Sequence, residues 1–195
     1  MHFDDKSFEE FWKTGPKVSC HAMIAWLTDN NEVTSFLEIG VQEGKSLRHA
    51  LKSRPLQLYL CDTWGKEYGG TGRGSHEHIL KLIHEKEEQY GVKHEVYYLD
   101  GSSHDLIKKL PDGLNLDMVH IDGDHSYDGC MMDMVDSIRL LKIGGLMLIH
   151  DVAHHVHPYL EQCVHDFSDS RQDAELIYVN RQNLGIAVIK KQAAS

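Results

Sequence analysis

The chain has 195 residues, of which 41% are hydrophobic, enough for one domain with a sizeable core. Its formal charge of −10 at pH 7 leaves no basic stripe to neutralise a phosphate backbone, which excludes nucleic acid as the expected partner. Four cysteines (Cys20, Cys61, Cys130 and Cys163) form no CxxC pair, and Cys61 and Cys130 lie in apolar stretches, as free buried thiols do in a reducing compartment.

No signal-peptide pattern opens the chain and no apolar run reaches membrane-spanning length, so a soluble, cytoplasmic protein without a membrane partner is expected. The first segment, Phe3 to Trp12, alternates acids with Phe8, Phe11 and Trp12 at helical spacing, and Gly15-Pro16 breaks it. A second helix follows, with Cys20, Met23, Ile24 and Leu27 on one face, ending near Asp29-Asn30-Asn31. These two helices form an N-terminal extension over 1–34, expected to cover the sheet or to join a second copy in a homodimer. The remainder, 35–195, reads as one globular unit.

That unit is organised around SFLEIGVQEGKSLRHAL, from Ser35 to Leu51. Phe36, Leu37 and Ile39 form a buried strand, Gly40 and Gly44 a tight turn, and Leu47, Ala50 and Leu51 one face of a helix, the opening of a doubly wound α/β fold. Three ligand readings compete for the turn. A P-loop needs four residues between its first glycine and Gly-Lys-Ser, but only Val41, Gln42 and Glu43 separate Gly40 from Gly44-Lys45-Ser46. The dinucleotide fingerprint lacks its third glycine. Glu38, Gly40 and Gly44 do match the E-x-G-x-x-x-G of S-adenosylmethionine enzymes, whose cationic, phosphate-free cofactor tolerates nearby acids.

LQLYLCD reads as a second strand ending at Asp62, about 20 residues past the turn, where a strand-end acid grips ribose hydroxyls. The loop Gly65 to Gly74 is too glycine-rich for regular structure; it is either a mobile cover or a surface loop. A polar helix from about Ser75 to Tyr90 stops at Gly91. HEVYYLDG is the third strand, followed by Ser102-Ser103 and a short helix from His104 to Leu110. LNLDMVHID is the fourth, ending at Asp122. The next helix starts near Tyr127 with Met131, Met134, Val135, Ile138 and Leu141 on its inner face, and LMLIHD is the fifth strand. ELIYVN and LGIAVIKK, joined by a tight turn, must be antiparallel. Asp62, Asp100, Asp122 and Asp151 thus share the sheet edge where open α/β sheets bind ligands. Most of the 15 histidines lie in polar segments, where solvated faces are expected.

FLEIGVQEGKSL, the strand-end Asp62, DGSSHDLIKKLP, MVHIDGDHSYDGC and LLKIGGLMLIHDV, in this order, resemble class I S-adenosylmethionine-dependent methyltransferases. Within them the chain looks most like the small-molecule O-methyltransferase group that carries I-D-G-D-H-S/T-Y. The resemblance implies a seven-stranded, mostly parallel sheet with a terminal antiparallel hairpin and transfer of a methyl group to a small hydroxylated acceptor, a sugar or a phenol. It also implies that Glu38, Gly40 and Gly44 take the methionine end of the cofactor, Asp62 the ribose, and Asp100, Gly101 and Ser102 the adenine.

In related metal-dependent enzymes a divalent cation on strand-end acids makes the acceptor hydroxyl acidic. Here the matching set is Asp122 and Asp151 with His150, although the position that should complete it is either His150 or the non-ligating Val152. Imidazole is a poor magnesium ligand, so magnesium, manganese, zinc and no metal at all stay open. Without a cation the two carboxylates are expected to repel, raising one pKa. His125 stands where catechol-type enzymes place a base; it is either a proton acceptor or a turn residue bonding an acid. His154, His155 and His157 either line the acceptor pocket or are solvated. Two other functions stay open: a fold of this kind that binds the cofactor without transferring methyl, and a nicotinamide oxidoreductase, which the missing glycine and the hairpin oppose.

Overall fold

The computed structural model describes residues 19–30, 33–65 and 72–193. The segment Phe3–Trp12 and residues 66–71 of the glycine-rich loop lie outside them. Among the described residues no helix is long and apolar enough to cross a membrane.

The elements in chain order are α1 (Cys20–Asn30), β1 (Ser35–Ile39), α2 (Leu47–Ala50), β2 (Gln57–Asp62), α3 (His76–Tyr90), β3 (Glu95–Asp100), α4 (Ser103–Leu106), β4 (Leu116–Ile121), α5 (Tyr127–Ile138), β5 (Leu141–His150), α6 (Leu160–Asp169), β6 (Ala174–Asn180) and β7 (Ile186–Lys191). They build a seven-stranded sheet in the order β3-β2-β1-β4-β5-β7-β6. Strands β1 to β5 pair in parallel, and β7 runs antiparallel to both β5 and β6. This is the doubly wound fold with the expected terminal hairpin, whose connection spans residues 181–185 rather than Arg181-Gln182 alone because β7 begins at Ile186.

Strand order reverses between β1 and β4, where Ile39 stands opposite Ile121. A crevice opens at such a switch point because the connections leave it in opposite directions. Gly40 and Asp122 follow these two strands, so the site's position is set by topology.

Alternation along the strands divides the core in two. Phe36, Leu58 and Leu60 face α1 and α3, meeting Met23, Ile24, Leu27, Ile79 and Ile83. Leu37, Ile39, Val119, Ile121 and Met147 face α5 and α6, meeting Met134, Ile138, Val164 and Phe167. Each such side chain contributes roughly 1.5–3 kcal/mol when fully removed from water. The same alternation turns Glu38 and His120 toward α1, inside an otherwise apolar layer, with exposures of 1% and 0%.

Local chemistry explains the element ends. Ser75 caps α3 by accepting from His78 N–H at 3.2 Å, and Gly91, at φ +67°, closes it in the left-handed region. Ser126 caps α5 by accepting from Gly129 N–H at 3.0 Å. The inner face of α5 differs from its apolar spacing: Cys130, Asp133, Met134, Ser137 and Ile138 are buried, Val135 is exposed, and Leu141 belongs to β5. At Gly129 a Cβ would lie 2.2 Å from the Asp124 side chain, so glycine lets the first turn of the helix sit against that loop. The helix after the glycine turn is a single turn, α2, so it offers little of the dipole that a long helix would bring.

Candidate active site

Two cavities open at the switch point and share Gly40, Gln42 and Asp122. The first measures about 420 Å³ including its mouth and runs along the ends of β1 and β2 and the start of α4, between Asp62, Gly101, Ser102 and Asp122. The second measures about 1010 Å³ on the same basis and reaches from the glycine turn to His125, His150, Asp151 and His157.

The turn is shaped by close approach. A Cβ on Gly40, at φ +86°, would lie 2.1 Å from the backbone oxygen of Asp122, so only glycine lets the turn pass the end of β4. Gly44, at φ +70°, is held under α3, where a Cβ would come within 2.7 Å of Leu82 and 2.8 Å of Ile79. It lines neither cavity, and its role here is helix packing.

Asp62 is anchored on both oxygens: Gln42 N–H donates to Oδ2 at 2.7 Å and Trp64 N–H to Oδ1 at 2.6 Å. A carboxylate has about four lone-pair sites, so each oxygen keeps capacity for a further donor. Ser102 and Gly101 line the same cavity, whereas Asp100 turns away, accepting from the Trp64 indole at 3.0 Å and contacting His76. Ser103, a polar group at the end of the third strand, lines it too, as do Thr63 and Gln42; nothing in the spacing marked the last two. No lysine, arginine or histidine lines this cavity among the described residues. Burial pushes the Cys61 thiol at its floor up to about 12, which removes it as a nucleophile.

Glu38 does not line either cavity. It lies beneath them, where His120 Nδ1 is 3.2 Å from its Oε1 and Cys20 Sγ is 3.2 Å from His120 Nε2. Burial pushes the Glu38 carboxyl up, and the His120 contact opposes it. The run MVHID held the signal for this buried contact: a histidine inside an apolar strand, on the face that also carries Glu38 of β1. It ties α1 to the two strands that flank the switch point.

Asp122, His125, His150 and Asp151 converge in the second cavity. His125 Nε2 lies 3.2 Å from Asp122 Oδ1 and 3.4 Å from Asp151 Oδ2. His150 Nδ1 lies 3.2 Å from Asp122 Oδ1 and 3.3 Å from Asp151 Oδ1. Asp151 adopts φ +60°, an unusual conformation for a residue other than glycine, and Ala153 N–H donating to Leu184 O at 2.8 Å holds the adjoining loops together.

Burial alone would raise the Asp122 carboxyl, but the imidazoles of His125 and His150 outweigh it and hold it well below the usual carboxylate range. The expected mutual repulsion of the two acids does not raise Asp122, because the imidazoles of His125 and His150 stand beside it. Burial opposes charging His125 as well, but its hydrogen bond to Asp122 and the nearby acids win and raise its pKa. His157 stacks on His125 with ring centroids 4.6 Å apart. His154 and His155 stack on each other and line neither cavity. Of this segment His157 joins the cavity while His155 is exposed, and His120, His125 and His150 build or support the site from other elements. His21 of α1 and Glu43 and Lys45 of the turn also line the second cavity. Sequence spacing gave no sign of His21.

Potential metal ligands form two sets whose ligand atoms lie within 4.8 Å of one another: Asp122, His150 and Asp151, and His125, Asp151 and His157. Asp151 Oδ1 is buried and accepts no hydrogen bond, although His150 Nδ1 lies near it. An anionic oxygen of this kind, beside a second carboxylate and an imidazole, suits a divalent cation.

A family model described as a methyltransferase domain matches residues 37–152, from β1 to just beyond β5. No curated protein matches the sequence. Similar solved structures include the S-adenosylhomocysteine-bound methyltransferase PaMTH1 of Podospora anserina, with a TM-score of 0.60, 17% identity, and 99% of this chain and 90% of that chain covered. Another is the O-methyltransferase TomG of Streptomyces achromogenes, in complex with S-adenosylmethionine, at a TM-score of 0.62 and 17% identity, covering 97% of this chain and 87% of that one. A third is a methyltransferase of Geobacter sulfurreducens, at a TM-score of 0.63 and 10% identity, covering 99% and 98%. At these identities the structural likeness concerns the fold, which agrees with the match of well over half of the chain to the family model. The chain belongs to the methyltransferase-domain family, and its fold is that of class I S-adenosylmethionine-dependent methyltransferases.

Proposed function

We propose that the protein methylates a hydroxyl oxygen of a small molecule, with the cofactor in the first cavity and the acceptor in the second. The single observation that carries this is the meeting of the two cavities at Gly40, Gln42 and Asp122. A donor and an acceptor placed in them face each other over one carboxylate.

The residues present fit both absent groups. The first cavity has acids and hydroxyls but no basic side chain among the described residues, which suits a cationic cofactor without phosphate. The bound cofactor supplies an electrophilic methyl carbon, and a divalent cation, where one is held, supplies positive charge that lowers the pKa of a hydroxyl. In this assignment Asp62 grips the ribose diol, and Gly101 and Ser102 border the adenine. Gly40 brings the turn close to the methionine end, and Glu38 braces that turn from below. Asp122 and Asp151, with His150, are the cation ligands. His125 accepts the hydroxyl proton as the O–C bond forms and the C–S bond breaks, and Asp151 stabilises the imidazolium from 3.4 Å. Most of the enzyme's task is orientation, because the methyl carbon is already activated.

The experiment measures release of S-adenosylhomocysteine from a library of hydroxylated acceptors, with chelator and then with magnesium, manganese or zinc restored. Turnover that needs the ion and disappears in Asp122→Asn and Asp151→Asn, while calorimetry shows normal cofactor binding, is the expected result. Cofactor binding with no turnover on any acceptor would leave a cofactor-binding protein without transferase activity.

A further inference from the structure

The second cavity also speaks to the kind of molecule it admits. We propose that it is a subsite for an uncharged polyhydroxylated acceptor, a sugar or cyclitol, and that His21 of α1 is its specificity-determining residue; this rests on the assignment of the cavity to the acceptor above.

Most of the residues that line this cavity carry polar side chains. Among the described residues only Val41 and Leu184 present aliphatic side chains to it, and no tyrosine, tryptophan or phenylalanine lines it. A flat aromatic acceptor would cover hydroxyl, carboxylate and imidazole groups without pairing them, and each buried polar group left unpaired costs free energy. A polyol offers a donor and an acceptor at every hydroxyl, so it can answer them in turn.

Charge narrows the class further. Lys45 is the only lysine or arginine among the described lining residues, and its Nζ lies 3.6 Å from Glu43 Oε2. Asp122 and Asp151 face the same space. Apart from an ion held on Asp122 and Asp151, an acceptor carrying a phosphate or carboxylate would find no lysine or arginine but Lys45 among the described lining residues, which weighs against charged sugars and aromatic acids.

His21 brings α1 to this cavity, near His150 and Asp122. Its ring stacks on His49 with centroids 4.9 Å apart and planes 8° from parallel, which fixes its plane. Burial, then the neighbouring histidines His49, His150 and His120, hold it down at about 4, so the ring is neutral at physiological pH. A neutral imidazole has one N–H donor and one nitrogen acceptor, the complement of a hydroxyl pair. His21 thus reads a hydroxyl of the acceptor other than the one that reacts.

The test uses the full chain with S-adenosylmethionine and three acceptor sets: methyl hexosides and inositol, the corresponding sugar phosphates, and catechol. Neutral polyols are expected to gain a methyl group, with sugar phosphates and catechol at least about tenfold poorer in kcat/KM. His21→Phe keeps an aromatic ring on His49 but loses the hydrogen bonds. It is expected to raise KM for the polyol roughly threefold to tenfold, the worth of one neutral hydrogen bond, with kcat and S-adenosylhomocysteine affinity unchanged. Catechol or a sugar phosphate outdoing every neutral polyol overturns the proposal, as does an unchanged KM in His21→Phe. If nothing turns over, saturation-transfer NMR on the S-adenosylhomocysteine-loaded chain decides. Methyl hexoside binding that His21→Phe weakens supports the subsite, and no polyol binding sinks it. Failure of the methyl-transfer assignment looks different: polyols bind at the His21-dependent subsite yet none is ever methylated.

Discussion

Strand β4 carries an aspartate at each end, and the two have opposite fates. Asp117, at the N-terminal edge of the sheet, accepts from Thr34 N–H at 2.7 Å, Thr34 Oγ1 at 2.9 Å, Ser35 N–H at 2.9 Å and Ser35 Oγ at 3.1 Å, all on Oδ2. Lys142 pairs with its other oxygen. Burial would raise its carboxyl, but the Lys142 contact and the Thr34 donors hold it below the ordinary value. Every donor around it is fixed, and the result is a clamp between β1, β4 and β5. Asp122, just past the other end, is satisfied mainly by imidazoles, which exchange protons at ordinary pH, and it borders two cavities. A strand-end acid serves structure when its partners are permanent donors, and chemistry when its partners can change charge or be replaced by a ligand.

The comparison can be broken first at Asp122. Asp122→Asn should reduce turnover by roughly 10²-fold or more, the scale of a lost acid–base or cation-holding group, with melting temperature and cofactor affinity near those of the parent. A variant that unfolds instead, or retains full activity, would make Asp122 a second clamp. The converse holds for Asp117. Asp117→Ala should lower unfolding free energy by about 3 kcal/mol, since buried donors lose a charged acceptor, while S-adenosylhomocysteine affinity of the folded chain stays the same. Urea unfolding beside calorimetry separates the two outcomes.

Asp62 tests whether an anchored acid can do both jobs. Asp62→Ala should weaken S-adenosylmethionine binding by about 1.5–3 kcal/mol, the worth of hydrogen bonds to a charged group. An unchanged dissociation constant would leave Asp62 as a brace for the Gln42 and Trp64 backbone alone.

The smallest expected effect is in pH. The folded-state pKa of Asp117 is depressed, so its contribution is fully present above the unfolded value of about 4 and is lost as pH falls through the folded value. Acid denaturation of Asp117→Asn should therefore lose this part of its pH dependence. Equal acid slopes in parent and variant would show that Asp117 gains nothing from its charged state.

The sequence alone determined the order of strands and helices, since apolar alternation, the caps at Ser75 and Gly91, and the turn at Arg181-Gln182 are local signals. It also marked the strand-end acids, because in a parallel sheet polar residues after apolar runs share one edge. What tertiary structure decided is which of those residues meet. Gly44 matched a ligand motif yet serves α3, since a sheet-and-helix contact needed a residue without a side chain there. Asp100 matched an adenine position yet turns to Trp64 and His76, two residues brought to it across β2 and α3. The Glu38–His120–Cys20 contacts join residues from β1, β4 and α1, distant in the chain, and His21 reaches the second cavity only because α1 packs on the sheet. Local spacing reports which face or edge a side chain occupies; only packing, through contacts between segments remote in sequence, sets its partners.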